Sequence, residues 1–396
     1  MTFLARRAGI CYTVIVSYPG VISLPTKHPV RSITLMAVLR PFFVLALVSI
    51  GFSLHPKFLS LFWTANNLPN IFEQAATTII LAVGMTFVIL TGGIDLSVGS
   101  VLALCGITLG LTVKTGPPII LCLIMAFPLG VAGWVILARM LGTENLVKRL
   151  ASGIFAMVGM VAGALIIYHT TRGGIQLEGA IVAALVVGCS LGLLNGLGVT
   201  LGRVPPFVMT LGVMTAARGL TVFVTDGKSV SDLPQRLGPI GVGLPLILIT
   251  FTVVALGALL LSRLRAGRYI LAIGGNREAS RLSGVNIRFY TILPYILSGL
   301  AAAIAAIVLT ARFQLADTNA GSGAELFAIA AVVIGGTSLS GGQGSIIGSM
   351  VGALTMAVLK AGLVLVGVQD TLQGVVIGAV IVLTVMLDNF KKNGRA

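Results

Sequence analysis

Long apolar runs separated by short polar or glycine-rich turns occupy the chain from about residue 36 onward. A helix rising about 1.5 Å per residue needs about 20 apolar residues to cross a hydrocarbon core of about 30 Å. The runs that approach this length are 36–54, 75–92, 96–113, 118–140, 150–168, 180–201, 206–224, 243–262, 289–311, 324–339, 346–366 and 371–387. Two of them, 96–113 and 324–339, are short or bordered by Gly-rich sequence, the pattern of re-entrant segments buried in protein rather than exposed to lipid. The expectation is an all-α, polytopic transmembrane helical bundle of about 12 spans with candidate re-entrant segments.

Composition agrees with that pattern: 57% of residues are hydrophobic and 9% charged, with a mean hydropathy of +1.07. Soluble domains hold about 45–50% apolar and about 25% charged residues. The spans use up the 396 residues, leaving no room for a separate aqueous domain. The 50 glycines suit a bundle whose helices approach closely in lipid.

The formal charge of +15 reads as topology. With the N-terminus inside, the inner loops collect Arg6, Arg7, Lys27, Arg31, Arg40, Arg139, Lys148, Arg149, Arg203, Arg263, Arg265, Arg268, Arg277, Arg281, Arg288, Lys391, Lys392 and Arg395. The outer side holds Lys57, Lys114, Arg172, Lys228, Arg236 and Arg312, while Arg218 and Lys360 fall inside spans. This asymmetry follows the positive-inside rule and puts both termini in the cytoplasm. Nucleic acid is excluded as a partner, because the basic residues are scattered over short loops without interleaved aromatics.

Residues 1–35 form an N-terminal extension with a basic start and a moderately apolar run. A signal peptide or anchor fits those features, but Pro19 and the lack of an A-x-A site argue against cleavage. Residues 36–390 read as the transmembrane body and 391–396 as a basic tail. Cys11, Cys105, Cys122 and Cys189 have no metal-type spacing and read as small hydrophobes. His28, His55 and His169 are far apart in sequence.

The segment Arg263–Arg288, RLRAGRYILAIGGNREASRLSGVNIR, gathers six Arg and a Glu between two apolar runs. Asn276 suits an N-cap, Gly274 and Gly275 a flexible opening, and Gly284 a helix end. Arg277 and Arg281 are spaced i, i+4 on one face. An ordinary positive-inside loop would account for the charge alone. EASRLSG, Glu278–Gly284, has however the form E-A-A-x-x-x-G and resembles the cytoplasmic loop of ABC importer permeases. The longer string AIGGNREASRLSGVNI resembles the permeases of ribose, xylose and related sugar importers. The resemblance implies that Gly274, Gly275, Asn276, Arg277, Glu278, Ala279, Ser280, Arg281 and Gly284 couple the chain to an ATPase.

Three further regions are similar to that family. In GMTFVILTGGIDLSVGSVLAL, Gly84–Leu104, the pair Gly92-Gly93 interrupts the helix before Asp95, a costly carboxylate near the hydrophobic region. Asp95 suits a cap over the Leu96–Val98 amides or a gate, and with Ser97 it is a translocation candidate. In Leu194–Leu220, Asn195, Thr210 and Thr215 suit either a sugar path or interhelical hydrogen bonds. Arg218 requires a polar interior, headgroups or a partner carboxylate. In Ala324–Gly348, LSGGQ (Leu339–Gln343) is spelled like an ABC ATPase signature, but no Walker A loop accompanies it: the nearest match, Gly227-Lys228-Ser229, has Val222 in place of the first Gly. Asp317 and Glu325 lie near the outer end of this region.

The resemblance runs from about Phe42 to Asp388. Between about 112 and 179 the chain holds two apolar runs where the ribose-type permeases have room for fewer, so an inserted helical hairpin is expected on a core of about 10 spans. The family implies a bacterial inner-membrane permease that imports a monosaccharide by alternating access. Its expected partners are a cytoplasmic ABC ATPase, a periplasmic or extracellular sugar-binding protein, a second permease copy or paralogue, and membrane lipid. No cofactor is expected on this chain, with ATP and Mg held by the ATPase, and no catalytic constellation argues for an enzyme. The alternatives are the same architecture serving nucleosides or amino acids, and a stand-alone secondary transporter or channel resting on Asp95, Arg218 and Lys360.

Overall fold

The structure is a computed structural model. It describes residues 35–54, 62–64, 67–141 and 146–369, with the short stretches 6–7, 10–11, 372–376 and 378–380 and positions 382 and 386. The chain divides into two units, Met1–Arg40 and Pro41–Ala396. In the first, Arg6–Arg7 pairs antiparallel with Ile10–Cys11. The rest of the N-terminal extension before α1 and the basic tail at 391–396 lie outside the described residues.

The helices, in chain order, are α1 Leu35–Ser53, α2 Asn67–Leu90, α3 Val98–Lys114, α4 Ile119–Leu141, α5 Leu146–Thr171, α6 Leu177–Thr200, α7 Pro206–Thr225, α8 Gly243–Ser262, α9 Arg265–Gly275, α10 Arg277–Leu282, α11 Ile287–Phe313, α12 Ala324–Ile334 and α13 Ile346–Val366. Each apolar run before residue 371 coincides with one of them.

The number of full crossings is smaller than the number of runs. Among the described residues, α2, Ser152–Thr171 of α5, α6, α7, α8, α11 and α13 are long and apolar enough to cross a membrane. Helices α3 and α4 pass that test only together and are bent by 113° at their break, which makes them one broken span or a re-entrant pair. Pro41–Ser53 of α1 and the whole of α12 are shorter apolar helices. The 11 residues of α12 reach only about 17 Å, roughly half a bilayer core. The run at 371–387 lies largely outside the described residues. The expected 12 spans thus become seven or eight among the described residues, because apolar length in a sequence does not show where backbone hydrogen bonding stops.

Helix α11 forms the centre, packed against α6 and α2. Glycine sets those approaches: a Cβ on Gly192 of α6 would stand 3.0 Å from the Ile296 Cα, and one on Gly84 of α2 would stand 2.9 Å from the Ser298 Cα. Helix α5 is the opposite case, exposing Ile154, Phe155, Met157, Val158, Val161, Leu165 and Ile166, as a lipid-facing helix must. It packs on α4, which in turn packs on α6. The ends of the α4–α5 pair meet: the Gly173 amide donates to the Thr115 carbonyl at 3.1 Å and the Ile175 amide to the Thr112 carbonyl at 3.0 Å. The chain before α4 is therefore already hydrogen-bonded to the chain after α5.

Candidate functional site

The charged segment between α8 and α11 folds as two helices. Helix α9 buries Gly267, Ile270 and Ile273 and leaves Arg265 and Arg268 exposed. It runs through Gly274 and Gly275, so these glycines end a helix; the flexible opening expected there is corrected. The Asn276 side chain then caps α10, its Oδ1 accepting from the Ala279 amide at 2.9 Å. At the far end the Gly284 amide donates to the Arg281 carbonyl and the Val285 amide to the Ser280 carbonyl, the paired bonds of a Schellman close.

Helix α10 turns Ser280 inward and leaves Arg277, Glu278, Ala279 and Arg281 exposed, with Leu282 77% exposed. Arg281 forks onto Glu278, Nε to Oε2 and Nη2 to Oε1. It does not simply share a face with Arg277, because a carboxylate one turn earlier gives the guanidinium a bidentate partner. The Arg281 hydrogen bonds hold the Glu278 carboxyl below the usual carboxylate range, and Glu278 raises Arg281 in return.

Above α10, three backbones cross. Helix α2 ends with the Gly92 amide on the Ile89 carbonyl and the Gly93 amide on the Val88 carbonyl, and Gly92 takes φ +79°, the left-handed turn a Schellman end needs. Helix α12 ends on the same pair of bonds, Gly336 to Val333 and Thr337 to Val332. The segment after it reaches back, and the Gly342 amide donates to the Leu90 carbonyl at 2.9 Å. Gly274 lies in the same crossing: a Cβ there would run into the Leu90 carbonyl oxygen and the Gly342 amide. A Cβ on Gly342 would stand 2.7 Å from the Gly275 amide nitrogen. The LSGGQ segment is therefore a backbone contact between the α9–α10 region and the break after α2.

From that break, Asp95 points into the bundle. It is 1% exposed. Its Oδ1 accepts from the Ser97 amide at 3.0 Å and the Ser97 hydroxyl at 2.6 Å, and its Oδ2 from the Ser298 hydroxyl of α11 at 2.7 Å. The expected cap over Leu96–Val98 narrows to one amide, that of Ser97, because the second oxygen is taken by a neighbouring helix. Asn195 of α6 donates to the Ser97 hydroxyl at 2.9 Å, and Thr210 of α7 to the Ile94 carbonyl at 3.2 Å.

Gly92, Gly93, Asp95, Ser97 and Asn195 thus lie in one connected region, joined through Leu90 and Gly342 to Gly274 and Gly275. Arg218 stands apart. Its Nη1 donates to the Thr318 and Ala320 carbonyls at 2.6 and 3.1 Å, the polar interior that a span arginine requires. Sequence reasoning missed Ser298, the second anchor of Asp95. A serine in the small-residue run SGLAAA has no local mark that distinguishes it from packing.

A family described as "Branched-chain amino acid transport system / permease component" matches residues 67–143 and 147–385. The ribose import permease protein of Escherichia coli (strain K12) is 38% identical over 358 residues, covering 88% of this chain and 92% of that protein. The ribose import permease protein of Bacillus subtilis (strain 168) is 36% identical over 365 residues, covering 90% and 94%. The xylose transport system permease protein of Escherichia coli (strain K12) is 35% identical over 350 residues, covering 83% and 86%. No solved structure matches the chain.

Proposed function

Because the chain belongs to the branched-chain amino acid transport system / permease component family, and within it is similar to ribose and xylose permeases, we propose that it is the membrane subunit of a binding-protein-dependent ABC importer for a pentose or related monosaccharide. It is a multi-pass membrane protein and a transport component that makes or breaks no substrate bond. The proposed setting is the bacterial inner membrane, with α9 and α10 on the cytoplasmic side and a sugar-binding protein delivering substrate to the opposite face. A second permease copy or paralogue completes the pathway, and ATP and Mg reside on the cytoplasmic ATPase.

The observation that carries this reading is the backbone crossing of Leu90, Gly274 and Gly342. It joins an exposed, doubly capped six-residue helix to the breaks after α2 and α12. A push on α10 reaches both breaks without passing through a flexible side chain, and the break after α2 carries Asp95. Closure of two ATPases would move α10 and shift this connected set between outward- and inward-open arrangements.

The α4–α5 pair is proposed as a hairpin inserted into the family core, since the chain on either side is already bridged by Thr115–Gly173 and Thr112–Ile175 hydrogen bonds. The count of about 12 crossings belongs to this proposal too, with α1 and the 371–387 run as shorter passages and the half-length α12 completed by the segment that follows it to Gly342.

The test is reconstitution. Proteoliposomes holding the full chain with an ABC ATPase and a sugar-binding protein should accumulate radiolabelled D-ribose or D-xylose only when ATP is supplied. Accumulation by the chain alone, without ATP, would favour the stand-alone carrier and sink the importer reading. Accumulation of L-leucine or a nucleoside in place of sugar would keep the architecture and overturn the substrate class.

A further inference from the structure

We propose that a cavity bounded by Ser100, Thr215, Arg218, Ser322 and Glu325 is a binding site for one uncharged monosaccharide in transit, an inference that rests on the importer function above. The cavity has a volume of about 440 Å³, inside the range of about 300–1,000 Å³ that small-molecule sites occupy. It forms where α3 and α12 begin beside α7. Ser100 comes from the first turn of α3, Ser322, Gly323 and Glu325 from the opening of α12, and Met214, Thr215, Arg218 and Gly219 from α7. A Cβ on Gly99 would run into the Gly321 carbonyl and the Glu325 carboxylate, so glycine brings the two helix starts to the same wall.

Among the described residues, the Ser100 and Ser322 hydroxyls and the Glu325 carboxylate line this space without a hydrogen-bond partner. Ser100 is 4% exposed, so the cavity is where its hydroxyl meets water or a ligand. Arg218 acts as a positioning residue. Its Nη1 holds the Thr318 and Ala320 carbonyls, fixing the segment that presents Ser322 and Glu325, while its other N–H groups remain as donors.

The lining combines one cation, one anion and three hydroxyls. A sugar hydroxyl is both donor and acceptor, so it matches Glu325 as acceptor, Arg218 as donor, the serines as either, and Thr215 as acceptor, since its own hydroxyl donates to the Leu211 carbonyl at 3.0 Å. Arg218 and Glu325 stand in the same lining, so their charges offset and the wall carries no net charge. A lone ion therefore gains no net attraction there, while each polar group can meet a sugar hydroxyl, and Met214 offers an apolar patch for the C–H face of the ring.

The experiment uses proteoliposomes with the full chain, its ATPase and the sugar-binding protein, and reads D-ribose molecules moved per ATP hydrolysed. Glu325→Gln keeps the shape and removes the charge, and should lower that ratio at least about tenfold; Ser100→Ala should lower it about threefold. Wild-type ratios in both variants would overturn the site while leaving the importer function standing. Should Glu325→Gln fail to assemble with the ATPase, Ser322→Ala, on an exposed residue, decides the matter: a drop of about threefold supports the site and an unchanged ratio overturns it. Wild-type particles that move no sugar would overturn the importer function itself. Movement of L-leucine that Glu325→Gln abolishes would overturn the monosaccharide class.

Discussion

At the scale of single residues, Asp95 and Glu278 show how differently a carboxylate is used in the two settings this chain provides. Asp95 is buried with three hydrogen bonds from Ser97 and Ser298, and deleting it strands donors that have no water to turn to. Asp95→Ala should therefore destabilise the purified chain by about 2–4 kcal/mol, read as a lower thermal midpoint in detergent. Asp95→Asn keeps two acceptor positions on one oxygen and should cost less. If the charge itself gates transport, both variants lose uptake; if Asp95 only ties the break together, Asp95→Asn retains most of it. Glu278 is solvent-exposed and its worth is geometric. The hydrogen bonds from Arg281 lower its pKa, so the ion pair is complete above the ordinary carboxylate value of about 4.3 and is lost only as pH falls through the depressed value. Attachment of the ATPase, measured by co-purification, should be flat from about pH 8 to about pH 5 and weaken only below that, if protonation of Glu278 limits it.

At the scale of elements, the crossing of Leu90, Gly274 and Gly342 yields a paired test from adjacent residues. Gly274→Ala puts a methyl group into the Leu90 carbonyl and the Gly342 amide, whereas a Cβ on Gly275 meets nothing within 4 Å. Uptake should fall at least about tenfold in Gly274→Ala and remain near wild type in Gly275→Ala, since forcing atoms into packed backbone costs about 1–3 kcal/mol or more. ATPase attachment should survive in both, because α10 keeps its caps. Gly284, at φ +78°, is a different case: Gly284→Val strains the helix end and should weaken ATPase attachment itself. The caps of α10 were legible in the sequence because Asn276 acts on an amide and Gly284 on a carbonyl, each within a few residues. The helical state of Gly274 and Gly275 was not, since two consecutive glycines favour a hinge by local propensity and are held here by close backbone neighbours from two other segments.

At the scale of the whole molecule, the distribution of basic residues and the packing meet. Lys114 bonds the Ser231 carbonyl and pairs with Asp232 at 3.6 Å, and Arg312 pairs with Glu73 at 3.8 Å. Gly274, in a segment counted to the other side, meets Leu90 and Gly342. Reporter fusions placed after Arg203 and Arg268 should accordingly report cytoplasm, and fusions after Lys228 and Arg312 the opposite face. Excision of residues 116–172, joining Thr115 directly to Gly173, should leave a chain that still inserts, assembles with its ATPase and transports sugar, because those two residues are already hydrogen-bonded. Loss of insertion would mean that α4 and α5 are integral to the core.

Hydrophobic run length, basic-residue asymmetry and local capping are properties of contiguous residues, and the sequence by itself determined what depends on them: an all-helical membrane protein, the positions of its helices and a capped helix in the charged segment; the sugar-permease family came from resemblance of motif strings such as AIGGNREASRLSGVNI. Only the tertiary structure decided that α12 stops after 11 residues, that α3 and α4 bend by 113°, that LSGGQ is a backbone crossing, and that Ser298 completes Asp95 while Arg218 keeps a separate cavity with Glu325. Each of these depends on groups brought together from distant parts of the chain, such as the 203 residues between Asp95 and Ser298. Hydrogen-bond satisfaction in a dry interior is settled by neighbours in space, and no periodicity along the chain encodes it.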